Sequence, residues 1–159
     1  MKTWMLCLSL LLWGVTLAPR DARATPSDDA AVRKPLEAFL QGHSTGKVEF
    51  LQQAYWPDAR LTFVRDGAVQ VMGISEHFQR FADHYRSLAG KPRPDEHAWH
   101  RDVRALEVMG TIAVATVVED GPESRYTSYL TLLQVKGEWR IINKSFHEER
   151  KAAVLKAAP

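Results

Sequence analysis

His77 and His84 lie seven apart in a stretch of helical periodicity, which puts both imidazoles on one face, two turns or roughly 10.5 Å apart along the axis. That gap is too wide for the pair to grip one metal ion side by side. His97 and His100 flank Trp99 and would meet at an ion only if a turn folded them together. No His-Glu-x-x-His pattern accompanies them, so a loop or surface setting is expected for both and no metal site for the chain. His84 stands apart because Phe81 and Tyr85 are its neighbours on the face that must meet whatever the helix covers. It is the candidate general base or ligand contact, the alternative being a rim histidine hydrogen-bonded to a strand. No orienting carboxylate for it can be named from the sequence, which leaves the constellation incomplete. His147, at the end of the last strand-like run, could face the same opening.

These side chains need a frame. Ser27-Asp28-Asp29 offer capping oxygens, and Val32, Leu36, Phe39 and Leu40 recur at helical spacing up to a glycine stop at Gly42, with Pro35 either kinking the helix or sitting in its first turn. Phe50, Leu51 and Tyr55 predict a second short helix ended by Pro57. The period then drops to two around Leu61 and Phe63, and Asp66-Gly67 turns the chain into Val69 and Val71 as a hairpin. Ser75 is expected to cap a third helix. Gly90 to Glu96, with two prolines, reads as the longest loop. Four β-rich runs follow, Val103 to Val108, Ile112 to Val118, Arg125 to Val135 and Trp139 to Phe146, separated by short turns that imply an antiparallel meander. Glu148 to Ala157 carries helix formers and predicts a short helical tail.

Helices in the first half and strands in the second predict an α+β domain, its helices covering one face of a curved sheet and leaving a cone with an apolar interior. Strict alternation would place Trp139, Ile141, Asn143 and Ser145 on one face and Arg140, Ile142, Lys144 and Phe146 on the other. Both faces are partly apolar, which predicts a homodimer through the sheet face left bare by the helices. Asn143, on the Trp139 face, would be costly to bury unless a ligand, water or loop satisfies its amide.

The chain is 159 residues with 45% apolar and 25% charged content and a formal charge of +2. Met1 to Ala24 has a positive start, an apolar run from Trp4 and an Ala-Arg-Ala site, which predicts a signal peptide over 1–24 cleaved after Ala24. The apolar run is too short for a stable membrane anchor. Without Lys2, Arg20, Asp21 and Arg23 the remainder holds 18 basic and 18 acidic residues, so no nucleic-acid partner is expected. The single cysteine, Cys7, leaves with the leader, which excludes disulfides, thiol nucleophiles and thiolate metal sites from an exported chain of residues 25–159.

Three segments carry a resemblance. Pro35 to Gly46 (PLEAFLQGHSTG), Tyr55 to Leu61 (YWPDARL) and Tyr129 to Lys144 (YLTLLQVKGEWRIINK) resemble, in order and spacing, the "Putative lumazine-binding" branch of the nuclear transport factor 2-like superfamily. The resemblance implies a cone of about six antiparallel strands with three helices on the concave face, a fold that hosts isomerases, dehydratases, cyclases and binding domains alike. It also implies two departures: Trp56 stands where relatives commonly have histidine, and Ser128 where they have aspartate. Phe63 stands near the position of an isomerase carboxylate and cannot take a proton. The expectation is a cofactor-free protein that binds a small, partly aromatic molecule through Tyr55, Trp56, Phe63, His84, Trp99, Tyr126, Tyr129, Trp139, Asn143 and His147. A cofactor-independent enzyme using His84 with a tyrosine, and a non-catalytic interaction module, are the alternatives.

Overall fold

The computed structural model describes residues 26–90 and 95–151. The expected leader, and the part of the expected tail beyond residue 151, lie outside these residues. Helix α1 (Pro26–Thr45) runs on both sides of Pro35, giving up one backbone hydrogen bond there. It also runs through Gly42, the expected stop. Leu51 explains that glycine: a Cβ at Gly42 would lie 2.5 Å from its Cδ2, so the position serves close packing of α1 on α2 (Val48–Ala54). The helix instead ends at Gly46, in the left-handed region at φ 69°, whose N–H bonds the Gly42 carbonyl at 2.9 Å.

Strand β1 (Tyr55–Arg65) begins directly after α2, so Tyr55 to Pro57 are strand rather than the close of a helix. Asp66 and Gly67, both at positive φ, form the two-residue turn to β2 (Ala68–Gly73), with Arg65 opposite Ala68. Helix α3 (Ile74–Ser87) starts one residue before the expected cap. Gly73 takes the N-cap position without a side-chain bond, and Ser75 falls in the first turn. After a 3₁₀ turn over Glu96–Ala98, the meander follows as β3 (His100–Met109), β4 (Ile112–Asp120), β5 (Ser124–Val135) and β6 (Glu138–Arg150). Glu148 to Arg150 therefore extend a strand and do not begin a helical tail.

The sheet order is β2-β1-β6-β5-β4-β3. Every neighbouring pair is antiparallel except β1 and β6, because the meander returns its last strand alongside β1 in the same direction. Irregularities of register within β1·β6, β3·β4 and β5·β6 bend and twist the sheet. The core lies between α1 and α2 and the inner sheet face: Val32, Leu36 and Phe39 meet Ala115, Val117, Leu130, Leu132 and Ile141, all buried. The opposite face carries exposed Val64, Val69, Val114 and Tyr129.

The β5·β6 irregularity decides the chemistry of the cone. Thr131 pairs with Asn143 and Leu132 with Ile141, so Ile142 is the extra residue of a bulge. Strict alternation fails at that point. Trp139 and Ile141 face the core, and beyond the bulge Lys144 and Phe146 face inward while Asn143 and Ser145 turn to the outer face.

Candidate functional site

Between α3, the end of α1 and the inner face of β1, β4 and β6 lies a cavity of about 410 Å³. Its walls are aromatic: Phe63 and Phe146 lie with centroids 5.0 Å apart, and Phe81 packs on Tyr85 at 4.8 Å. Trp99 stacks on Tyr126 at 6.3 Å with planes 20° apart, and the Arg101 guanidinium sits 5.0 Å from the Trp99 ring. Gly121 makes room for this indole, since a Cβ there would fall 2.5 Å from it. The Tyr126 hydroxyl donates to Glu148 at 3.0 Å; burial and this carboxylate push the phenol up to about 12.

The polar lining is concentrated on a few buried groups. Glu119 of β4 is 3% exposed and holds two partners on one oxygen, His43 Nδ1 at 3.2 Å and Arg101 Nε at 3.3 Å. Arg101 is the cross-strand partner of Glu119 on β3, so the β3·β4 register builds this pair. Burial alone would raise the Glu119 carboxyl, but the charge and hydrogen bond of His43, then Lys144 and Arg101, outweigh it and hold the group at about 2. As a carboxylate, Glu119 only accepts, so His43 carries its proton on Nδ1. The other nitrogen, Nε2, is buried without a hydrogen-bond partner among the described residues. The backbone carbonyl of His43 accepts from Tyr85 Oη at 3.1 Å, which ties α3 to the end of α1.

Lys144 of β6 is 5% exposed, and its ammonium lies over two rings, 4.9 Å from the Phe39 centroid and 5.2 Å from that of Phe146. Burial lowers its pKa, while Glu119 opposes that shift. His77, on the inner side of α3, is brought down to about 3 by burial and then by the charges of Lys144 and His43. It is neutral at physiological pH, with Nε2 buried and unpartnered among the described residues. An imidazole oriented by a carboxylate, beside an amine and a guanidinium on an apolar wall, can accept a proton from, or polarise, a small molecule lodged above it.

Of the residues expected from sequence, Phe63, His84, Trp99 and Tyr126 line this cavity, His84 at its exposed rim. The others lie elsewhere. Tyr55 is buried in the core against Phe39 and Phe78. Trp56 donates from Nε1 to the Leu133 carbonyl at 3.3 Å, with Arg140 over its ring. Trp139 is buried beside the α1 segment containing Lys34 and Pro35. Asn143 accepts from Thr62 and donates to Ser145 on the outer face, which satisfies its amide there. Tyr129 and His147 line an outer groove with Val64 and Val69. His97 and His100 are exposed. The groups missed from sequence are His43, Glu119, Arg101, Lys144 and His77. A histidine and a carboxylate are thus paired in this chain, through His43 and Glu119 rather than at Trp56 and at Ser128, whose hydroxyl is buried without a partner.

A family model described as "Putative lumazine-binding" matches residues 27–147. The chain belongs to that family. Among curated proteins it is 26% identical over 123 residues to aldolase FrzH of a Cladobotryum species, covering 77% of this chain and 93% of that protein. Among solved structures it resembles a nuclear transport factor 2-like protein of unknown function from Shewanella baltica, with a TM-score of 0.67 at 20% identity, over 81% of this chain and all of the other. A structure titled a putative ketosteroid isomerase, from Shewanella frigidimarina, aligns with a TM-score of 0.55 at 15% identity over 75% of this chain and 96% of the other. These structural likenesses establish the nuclear transport factor 2-like cone as the fold of this family member.

Proposed function

We propose that the protein binds a small, partly aromatic organic molecule inside the cone, with its ring among Phe63, Phe81, Trp99 and Phe146 and a polar group toward Glu119, His43 and Lys144. The observation that carries this reading is the cavity of about 410 Å³, which falls in the size range of small-ligand sites and joins an apolar wall to a few convergent polar groups. A domain serving only as an interaction module would more simply fill that volume with its own side chains. The reading extends to an exported protein, cleaved after Ala24, that pairs with a second copy through the outer sheet face. Exposed Val64, Val69, Val114 and Tyr129 support the pairing.

Titration of tryptophan fluorescence with lumazine, riboflavin, a steroid and salicylate tests the reading, since Trp99 stands in the cavity wall. At least one compound is expected to give a saturable change that Leu61→Trp, which fills the cavity from β1, removes. Unchanged binding in a folded Leu61→Trp protein would place the ligand elsewhere.

A second reading, a cofactor-independent enzyme, is favoured by the oriented His43 imidazole with its unpartnered Nε2. The aldolase relative and the neighbour described as "a putative ketosteroid isomerase" are both named for chemistry on carbonyl compounds. In that reading His43, rather than His84, moves the proton.

A further inference from the structure

A ligand cavity needs no buried lysine. Lys144 is nevertheless turned inward by the Ile142 bulge and held 5% exposed, with its nitrogen against the faces of Phe39 and Phe146. One Glu119 oxygen is engaged by His43 and Arg101, and the carboxylate's charge opposes the downward shift of Lys144. We propose that Lys144 is a nucleophilic amine that condenses with the carbonyl carbon of a small aldehyde or ketone held in the cone. The inference rests on the cavity being a ligand site and adds a covalent step and a substrate class to it.

Condensation needs a neutral amine, a polarised carbonyl and a group that carries a proton from nitrogen to oxygen. Removal from water favours the uncharged amine, in keeping with the downward shift of Lys144. His43 and Lys144 flank the same ring: the imidazole centroid lies 4.5 Å from that of Phe39, and Nζ lies 4.9 Å from it. The Lys144 lone pair forms a bond to the carbonyl carbon as the C=O π pair moves to oxygen. One proton leaves nitrogen for His43 Nε2 and returns to that oxygen, giving a carbinolamine. His43 Nε2 next takes a proton from water and gives it to the hydroxyl, which departs as water as the nitrogen lone pair forms the C=N bond. The iminium nitrogen releases its remaining proton to His43 Nε2, which returns it to water, leaving the neutral imine. One amine and one carbonyl become one imine and one water, with nothing oxidised or reduced.

Reductive trapping tests this on the full chain. Protein at neutral pH is treated with salicylaldehyde and cyanoborohydride, which adds hydride to a C=N bond, and the label is located by peptide mapping. The exposed Lys34, Lys47, Lys136 and Lys151 are internal controls. The expected result is labelling of Lys144 faster than any of these, because a lowered amine pKa raises its free-base fraction. Salicylate, which lacks the aldehyde, should compete, and Lys144→Met should remove the fast label. If Lys144→Met fails to fold, mapping and salicylate protection on the unaltered protein decide alone. Label spread evenly over the exposed lysines overturns the proposal. Saturable salicylate binding with Lys144 unlabelled overturns the covalent step but leaves the cavity reading standing; loss of both overturns the two together.

Discussion

Glu119 and His77 make opposite use of burial. Glu119 stays charged because His43, Lys144 and Arg101 surround it, whereas His77 stays neutral because burial, and then the charge of Lys144 and that of His43 when protonated, oppose its protonation. Both folded pKa values lie below the ordinary ones, 4.5 for the carboxyl and 6.5 for the imidazole, so the unfolded chain binds more protons than the folded one in acid. Stability is therefore expected to fall as pH drops, the His77 contribution going between 6.5 and about 3 and that of Glu119 between 4.5 and about 2. Each proton contributes a slope of at most ~1.4 kcal/mol per pH unit. Urea midpoints measured across this range check the expectation, and His77→Leu should flatten the curve between 6.5 and 4.5. An unaltered slope in that variant would assign the titration to another group. Replacing Glu119 by Gln removes the buried carboxylate from His43, Arg101 and Lys144 and is expected to cost about 3–5 kcal/mol, read as a lowered denaturation midpoint.

At the scale of elements, three local decisions by the chain position the site, and each lies beyond a boundary that periodicity marks. The hydrophobic pattern of α1 was legible, but Gly42 reads as a stop; Leu51 packing on it lets the helix continue one more turn and delivers His43. The β-branched run of β4 was legible up to Val118, but a carboxylate ends such a pattern on paper. Only its cross-strand partner Arg101 explains why the strand goes on through Glu119. The last strand was legible as a strand, but alternation carries no mark of the Ile142 bulge, so Lys144 was assigned a face and Asn143 the wrong prominence. The two-residue turns were readable because Asp66-Gly67 and Lys136-Gly137 must adopt positive φ, which depends on the turn alone. Among the aromatics, Phe63, Trp99 and Tyr126 reach the cavity while Tyr55 and Trp139 serve the core, a division that residue type does not encode.

Two element-scale predictions follow from these junctions. Gly46→Ala would place a Cβ 2.2 Å from the Tyr85 ring at a φ of 69°, so a loss of at least about 1 kcal/mol is expected in chemical denaturation. Deleting Ile142 removes the bulge but leaves Ile141 opposite Leu132 and Asn143 opposite Thr131, so regular alternation keeps Lys144 inward and the protein, where it folds, should retain the fast reaction of that amine with salicylaldehyde. Loss of fast labelling in the deletion variant would mean that β6 slips in register and that this pairing does not set the facing of Lys144.

For the whole molecule, the helices cover one face of the sheet and leave the other with exposed Val64, Val69, Val114 and Tyr129. Pairing of two copies through this face would bury them. Light scattering during size exclusion is expected to give twice the chain mass for the protein and the single chain mass for Val114→Lys combined with Tyr129→Glu. A monomer at high concentration for the unaltered protein would remove the dimer from the account. The cone itself, walled by α3 and Trp99, is what the family membership and the geometry share. The most direct measurement is a crystal structure of protein purified from its native compartment. The account predicts unassigned density between Trp99 and Phe81, with a polar atom within hydrogen-bond distance of His43, Glu119 or Lys144. A cone closed onto Glu119 by its own side chains, with room for no more than a water or two, would contradict it.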